Sequence, residues 1–329
     1  MNAFQWLWFV VALTVAAAAG ATSPDALNGF DLTTLTVSRQ DVIPGGPPRD
    51  GIPALTDPKF VAATKADWLH DDARVLGIAR NGIAKAYPLD ILSWHEIVND
   101  RFGDEPVLVS YCPLCFTGIA FKAEAGGTRR LFGVSGLLYN SDVLLYDRAT
   151  QSLWSQLLGQ AVSGPAAGTE LEMIAVENTS WPVWRQAHPD TLVLSRDTGY
   201  TRSYDRNPYQ WYDMSPQVSF PVAAQSSDYH PKMYVLGVII GNDARVYPFA
   251  ELDAEAQHAA DRRHVRIRDT VGGRPIVVHY DYDAISAYVT DTKDQPVPST
   301  MAYWFAWYAF HPHSRIYHSA SPGGQPRHH

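Results

Sequence analysis

Short apolar runs punctuated by glycine and asparagine recur along this chain. VLGIA at residues 75–79 and AKAYP at residues 84–88 flank Asn81-Gly82, and an Asn-Gly pair between apolar runs predicts a two-residue β-hairpin. LDILSWHEIVNDRF at residues 89–102 then spaces Leu89, Leu92, Ile97 and Val98 with few breakers, which predicts a short amphipathic helix carrying His95. PVLVSY at residues 106–111 is an almost unbroken apolar run and predicts a buried strand leading straight into Cys112-Pro113-Leu114-Cys115. The following GIAFKAEAGGTRRLFGVS alternates around Gly126-Gly127 and predicts a further hairpin. A thioredoxin fold would instead place a long helix at the cysteine pair.

The same pattern returns later. VLGIARNGIAKAYP at residues 75–88 aligns without a gap on VLGVIIGNDARVYP at residues 235–248, an offset of 235 − 75 = 160. PVLVSYCPLC from Pro106 aligns with PIVVHYDYDA from Pro275, and VWRQAHPDT from Val183 with AWYAFHPHS from Ala306, in the same order. The expected fold is therefore a β-rich α+β protein of two pseudo-repeated units, an internal duplication with short helices. The first unit spans residues 73–195, a Tyr-, Asp-, Ser- and Pro-rich connection residues 196–232, and a second, degenerate unit residues 233–317, with a flexible tail at residues 318–329. Residues 22–72 include the proline- and glycine-rich GGPPRDGIPAL, which resists helices and central strands and is expected to wrap the surface or line a cleft.

Composition narrows the function classes. Hydrophobic residues at 46% and charged residues at 18% describe a globular chain able to bury a core. The net charge of −8 and the lack of a Lys/Arg run exclude the basic stripe that nucleic-acid binding needs. Residues 1–21 carry no charge and end in small residues, which reads as a cleaved signal peptide and an exported, periplasmic or extracellular protein, with an N-terminal membrane anchor as the alternative. That apolar run falls short of the roughly 20 residues a span needs, so no membrane contact is expected after cleavage. No phosphate loop, dinucleotide fingerprint, zincin motif or G-x-S-x-G elbow occurs, so no nucleotide is expected.

Candidate chemistry centres on Cys112 and Cys115, the only cysteines. Asp281 and Ala284 stand in their places in the second block, so the turn itself does not require sulfur. A C-x-x-C turn supports three readings: a redox dithiol, a soft metal site for copper or zinc, or a structural disulfide of the kind an oxidising compartment preserves. Two cysteines do not complete a zinc site, and His95 is the candidate third ligand. Its counterpart at 95 + 160 = 255 is Glu255, so the histidine vanishes along with the cysteines, whereas His188 and His311 persist in His-Pro turns and read as structural. FGVSGLLYNSDVLLYDRATQSLWSQ at residues 132–156 packs Tyr139, Asn140, Asp142, Asp147, Arg148, Trp154 and Gln156 among apolar residues. Such groups must find partners, in a turn network or as the lining of a pocket for a small-molecule ligand.

GGPPRDGIPAL, AKAYP with SWHEIVND, VLVSYCPLC, the 132–156 stretch and AHPDT together resemble a bacterial and archaeal family, domain of unknown function thirty-one seventy-nine, over about residues 41–317. Cys112, Cys115 and His95 match that family's signature positions. The resemblance implies an exported or membrane-tethered protein and carries no established activity. The expectation is thus an exported protein with a metal or redox site at Cys112, Cys115 and His95, a metal-dependent oxidoreductase of small molecules. The alternative is a non-catalytic binding module held by a disulfide.

Overall fold

The computed structural model describes residues 26–261 and 263–319, so the expected leader at residues 1–21 and the last residues of the expected tail lie outside the described residues. Asn81 and Gly82 both take left-handed φ, 53° and 73°, and Arg80 pairs with Ile83 across them. This turn geometry matches the twist of the flanking strands, and Arg74–Arg80 and Ile83–Pro88 form the expected hairpin. Tyr234–Ile240 folds onto Asp243–Pro248 in the same way. The next segment departs from the pattern. The helix covers only Leu89–His95, Glu96 caps it at φ 57°, and Ile97–Phe102 continues as a strand. The β-branched pair Ile97-Val98, fully buried between neighbouring strands, favours the pleat over a further helical turn.

Each hairpin grows by recruiting strands from distant parts of the chain. Among the described residues there are five sheets of four or five strands. The first orders Glu177–Ser180, Arg74–Arg80, Ile83–Pro88, Leu192–Leu194 and Phe60–Ala62. The cysteine sheet orders Met173–Ile174, Thr117–Lys122, Glu105–Cys112, Ile97–Phe102 and Leu55–Thr56. A third runs Gln160–Ala161, Leu153–Ser155, Asp142–Asp147, Phe132–Tyr139 and Val42–Pro44. The fourth orders Thr300–Tyr303, Tyr234–Ile240, Asp243–Pro248 and Arg315–Ile316; the last orders His264–Val271, Arg274–Asp281, Ser286–Asp291 and Pro296–Val297.

These sheets make a five-bladed β-propeller arrangement with 41% strand and 14% helix, which overturns the expected α+β fold of two pseudo-repeated units. Among the described residues the helices are short links between strands, the longest being Phe249–His258 at 10 residues. Residues 73–195 feed three of these five larger sheets and residues 233–317 two, so two halves do not describe the chain. The third sheet completes the mismatch, since the second half builds no counterpart of it among the described residues. The proline- and glycine-rich segment is also more than a wrap, for Val42–Pro44, Leu55–Thr56 and Phe60–Ala62 form the outer strand of three sheets, the position that tolerates proline. The matched blocks survive as local hairpins and turns set in separate blades. No helix among the described residues is long and apolar enough to cross a membrane.

Arg74 joins the first sheet to the last. Its guanidinium donates to Asn178 Oδ1 at 2.9 Å and to the carbonyls of Ala284 and Ile285 at 3.0 and 3.1 Å. Glu177–Ser180 lies against Ser286–Asp291 at the same seam, and Thr117–Lys122 lies against Thr300–Tyr303 on the other side. Under the first hairpin sits Trp184, whose indole donates to Thr191 Oγ1 at 2.9 Å.

A Cβ on Gly77 would run into the Trp184 ring. We expect Gly77→Ala to lower stability by about 2–3 kcal/mol, read from the midpoint of urea unfolding. Glu177 supplies a pH-dependent expectation. Burial pushes its carboxyl up to about 7, so the stability it contributes is complete below about 4.5, the ordinary value, and is lost as pH rises through about 7. Glu177→Gln should flatten that decline and leave the protein more stable than wild type at pH 8 by about 2 kcal/mol, measured by unfolding at stepped pH.

Candidate functional site

The strand Glu105–Cys112 delivers Cys112 to a tight turn in which the Cys115 N–H donates to the Cys112 carbonyl at 3.2 Å, and Thr117 pairs back on Cys112. The last sheet builds the same span without sulfur, Asp281 pairing with Ser286. Phe116 and Ile285 are left-handed at matching places, φ 57° and 48°. The cysteine turn is held from several directions. The Tyr303 N–H donates to the Cys115 carbonyl at 2.8 Å, the Tyr212 hydroxyl to the Leu114 carbonyl at 3.0 Å, and Phe116 packs on Tyr234 at 4.6 Å between ring centres. Both cysteines are free thiols, and both are buried.

A third acid arrives from the third sheet. Asn140 and Ser141 take φ 51° and 66° in the two-residue turn between Tyr139 and Asp142, which turns the Asp142 side chain inward. Ligand atoms of Cys112, Cys115 and Asp142 all lie within 4.8 Å of one another. Asp142 Oδ2 accepts the Leu157 N–H at 3.0 Å, while Oδ1 is buried with no hydrogen-bond partner. The Cys115 thiol donates to the Ser141 carbonyl at 3.3 Å. Gln156 braces the floor: its amide donates to Ser110 Oγ at 3.0 Å, and its carbonyl accepts the Thr117 hydroxyl at 2.6 Å.

Glu96 is the fourth acid. Its left-handed backbone ends the helix, its carbonyl accepts the Tyr111 N–H at 2.8 Å, and its carboxyl accepts the Tyr209 hydroxyl at 3.2 Å. Burial pushes Glu96 and Asp142 each up to about 7. Burial also raises both thiols, and the negative charge of Asp142 raises them further, with Glu96 adding to the effect at Cys112. Among the described residues neither Glu96 nor Asp142 makes an ion pair.

His95 is placed differently from the expectation. It is fully buried, with Nδ1 2.7 Å from the Pro53 carbonyl and Nε2 2.7 Å from the Tyr204 hydroxyl. A carbonyl only accepts, so Nδ1 carries the proton and Nε2 accepts from Tyr204. Burial lowers its pKa and keeps the ring neutral. Both nitrogens are thus engaged, and His95 stands outside the converging ligand group. It fastens the N-terminal segment and the connection to the helix whose next residue is Glu96.

The polar stretch divides. Asp142 and Gln156 face the cysteines. Asp147 accepts the Ala149 and Thr150 N–H groups and the Trp154 indole at 3.0 Å, a turn network that also faces Arg130 at 3.9 Å. Arg148 pairs with Asp50 at 3.1 Å near the surface. Asn140 accepts the Ala223 N–H at 2.8 Å, and Tyr139 packs edge-on against Phe310. Sequence reasoning missed Glu96, although 96 + 160 = 256 falls on Ala256, the same loss that drew attention to His95.

A model of the family described as "Protein of unknown function (DUF3179)" matches residues 49–314. Searches of curated proteins and of solved structures give no match.

With His95 acting as a clamp, His95→Ala should lower stability by about 2–4 kcal/mol, since it leaves a buried cavity and an unpaired Pro53 carbonyl. The reactivity of the two thiols in the unfolded chain would be unchanged. Calorimetric unfolding beside a thiol count in denaturant checks both.

Proposed function

We propose that this chain, which belongs to that family of unknown function, is a metal protein whose ion is held by Cys112, Cys115 and Asp142. The observation that carries the reading is the burial of these three acidic groups within 4.8 Å of one another, with the charge of Glu96 felt at Cys112 and no cationic partner among the described residues. Buried charge persists only when paired or ligating, and an ion here would offset the thiolates and give Asp142 Oδ1 its missing partner. Two thiolates with a carboxylate oxygen form a borderline donor set that suits zinc, whereas Cu(I) is served by sulfur alone. Zinc is therefore favoured over copper. Three protein donors leave a fourth position, as in catalytic rather than closed structural sites, and Glu96, near 7, is suited to exchanging a proton with a substrate. The protein would then be a metal-dependent enzyme acting on a small molecule. An exported location fits, because thiols this close form a disulfide in an oxidising compartment unless they are ligated.

A second reading, a redox dithiol with Asp142 as proton acceptor, is supported by the two free thiols beside a carboxyl near 7. One experiment separates the two. The purified full chain should take up about one zinc per molecule, and Cys112→Ser with Cys115→Ser should abolish uptake while the fold persists, since the Asp281 turn forms without sulfur. Asp142→Asn should weaken zinc by at least about tenfold. Affinity should rise with pH, because thiols raised by burial must lose protons to bind. A protein that takes up no zinc yet cycles between two thiols and a disulfide in a glutathione buffer would overturn the metal reading in favour of the dithiol.

A further inference from the structure

We propose that the cavity beside this centre is its substrate pocket, and that it takes a neutral one-ring molecule bearing a hydroxyl group. The word substrate rests on the metal reading above; the ligand class is read from the cavity walls alone. The space is about 200 Å³, walled by Val134, Leu138, Val143, Phe220 and Trp211, with Glu96 as the one charged residue of its lining. Leu114, between the two cysteines, and Val143, next to Asp142, also line it and set it against the centre. Trp211 is 66% exposed and marks the mouth.

Size and polarity select the ligand. An apolar cavity of about 150 Å³ accepts benzene, so this one holds a ring with a short substituent. No cation lines it, so a phosphate or carboxylate would enter unpaired and face Glu96. An ammonium would find Glu96 as its one counter-charge, but desolvating both charges among apolar walls can exceed what that pairing returns. A hydroxyl is different. The Tyr209 hydroxyl is the one hydrogen-bond donor to the Glu96 carboxyl among the described residues, and Glu96 is only 6% exposed. Its second oxygen is left for a donor that arrives with the ligand, and buried acceptors gain from such a partner.

The test uses the full chain, benzyl alcohol and toluene, followed by methyl NMR of labelled leucine and valine. Benzyl alcohol should shift Leu114, Leu138 and Val143 saturably and bind about tenfold more tightly than toluene, as one hydrogen bond to a carboxylate implies. Glu96→Leu should remove that preference. Leu138→Trp, which fills the cavity, should remove both ligands while zinc uptake stays at the wild-type level. If that variant does not fold, the wild-type shift map decides alone. No saturable shift, shifts at other methyls, equal binding of the two probes, or undiminished binding by a folded Leu138→Trp would each overturn the proposal. Benzyl alcohol binding here to a chain that takes no zinc would remove the metal reading and leave the pocket standing. Zinc uptake without alcohol binding would sink the pocket alone.

Discussion

A guanidinium drawn between packed sheets must satisfy its donors or lose the free energy of its hydration, and half-buried Arg74 meets that constraint across the seam between the first and last sheets. Its partners are carbonyls of the Ala284–Ile285 turn, so that turn must sit beside Asn178 for the charge to be tolerated. The same guanidinium lies 5.6 Å from the centre of the Phe116 ring, directly after the second cysteine. One side chain thus ties the meeting of the first and last sheets to the residue that follows the cysteine turn.

From that fixed point the site is assembled by backbone more than by side chain. The Tyr303 N–H and Tyr212 hydroxyl hold the carbonyls of Cys115 and Leu114, and Gln156 spans Ser110 and Thr117 beneath them. Ser141 ties outward as well, its hydroxyl donating to the Phe220 carbonyl at 2.8 Å. With Asn140 on Ala223, the connection is fastened over the third sheet at its turn. This network leaves one buried acceptor, Asp142 Oδ1, without a hydrogen-bond partner.

How much of this the sequence disclosed follows from the range of each interaction. The Asn81-Gly82 hairpin and the strand ending at Cys112 depend on neighbours and were legible. The five sheets were not, because Leu55–Thr56 and Val42–Pro44 are too short to show a period, and their pairing partners lie far along the chain. Asp142 stood in the sequence as one of several polar residues; only the left-handed turn at Asn140-Ser141 separates it from Asp147, which serves its own loop. His95 misled for a physical reason. A buried imidazole has two nitrogens to satisfy, and the spacing of residues does not reveal that Pro53 and Tyr204 reach them first.

Glu96 closes its helix in a backbone conformation that glycine adopts freely and that other residues occupy at a disadvantage. At the matching place in the later block, Ala256 lies inside a helix that runs on to His258, with no such cap. Stability alone would favour glycine at residue 96. The chain thus forgoes conformational ease at a cap whose carboxyl accepts the Tyr209 hydroxyl and whose residue lines the cavity. Under the metal reading proposed above, that cost is what it takes to hold a carboxyl at this place.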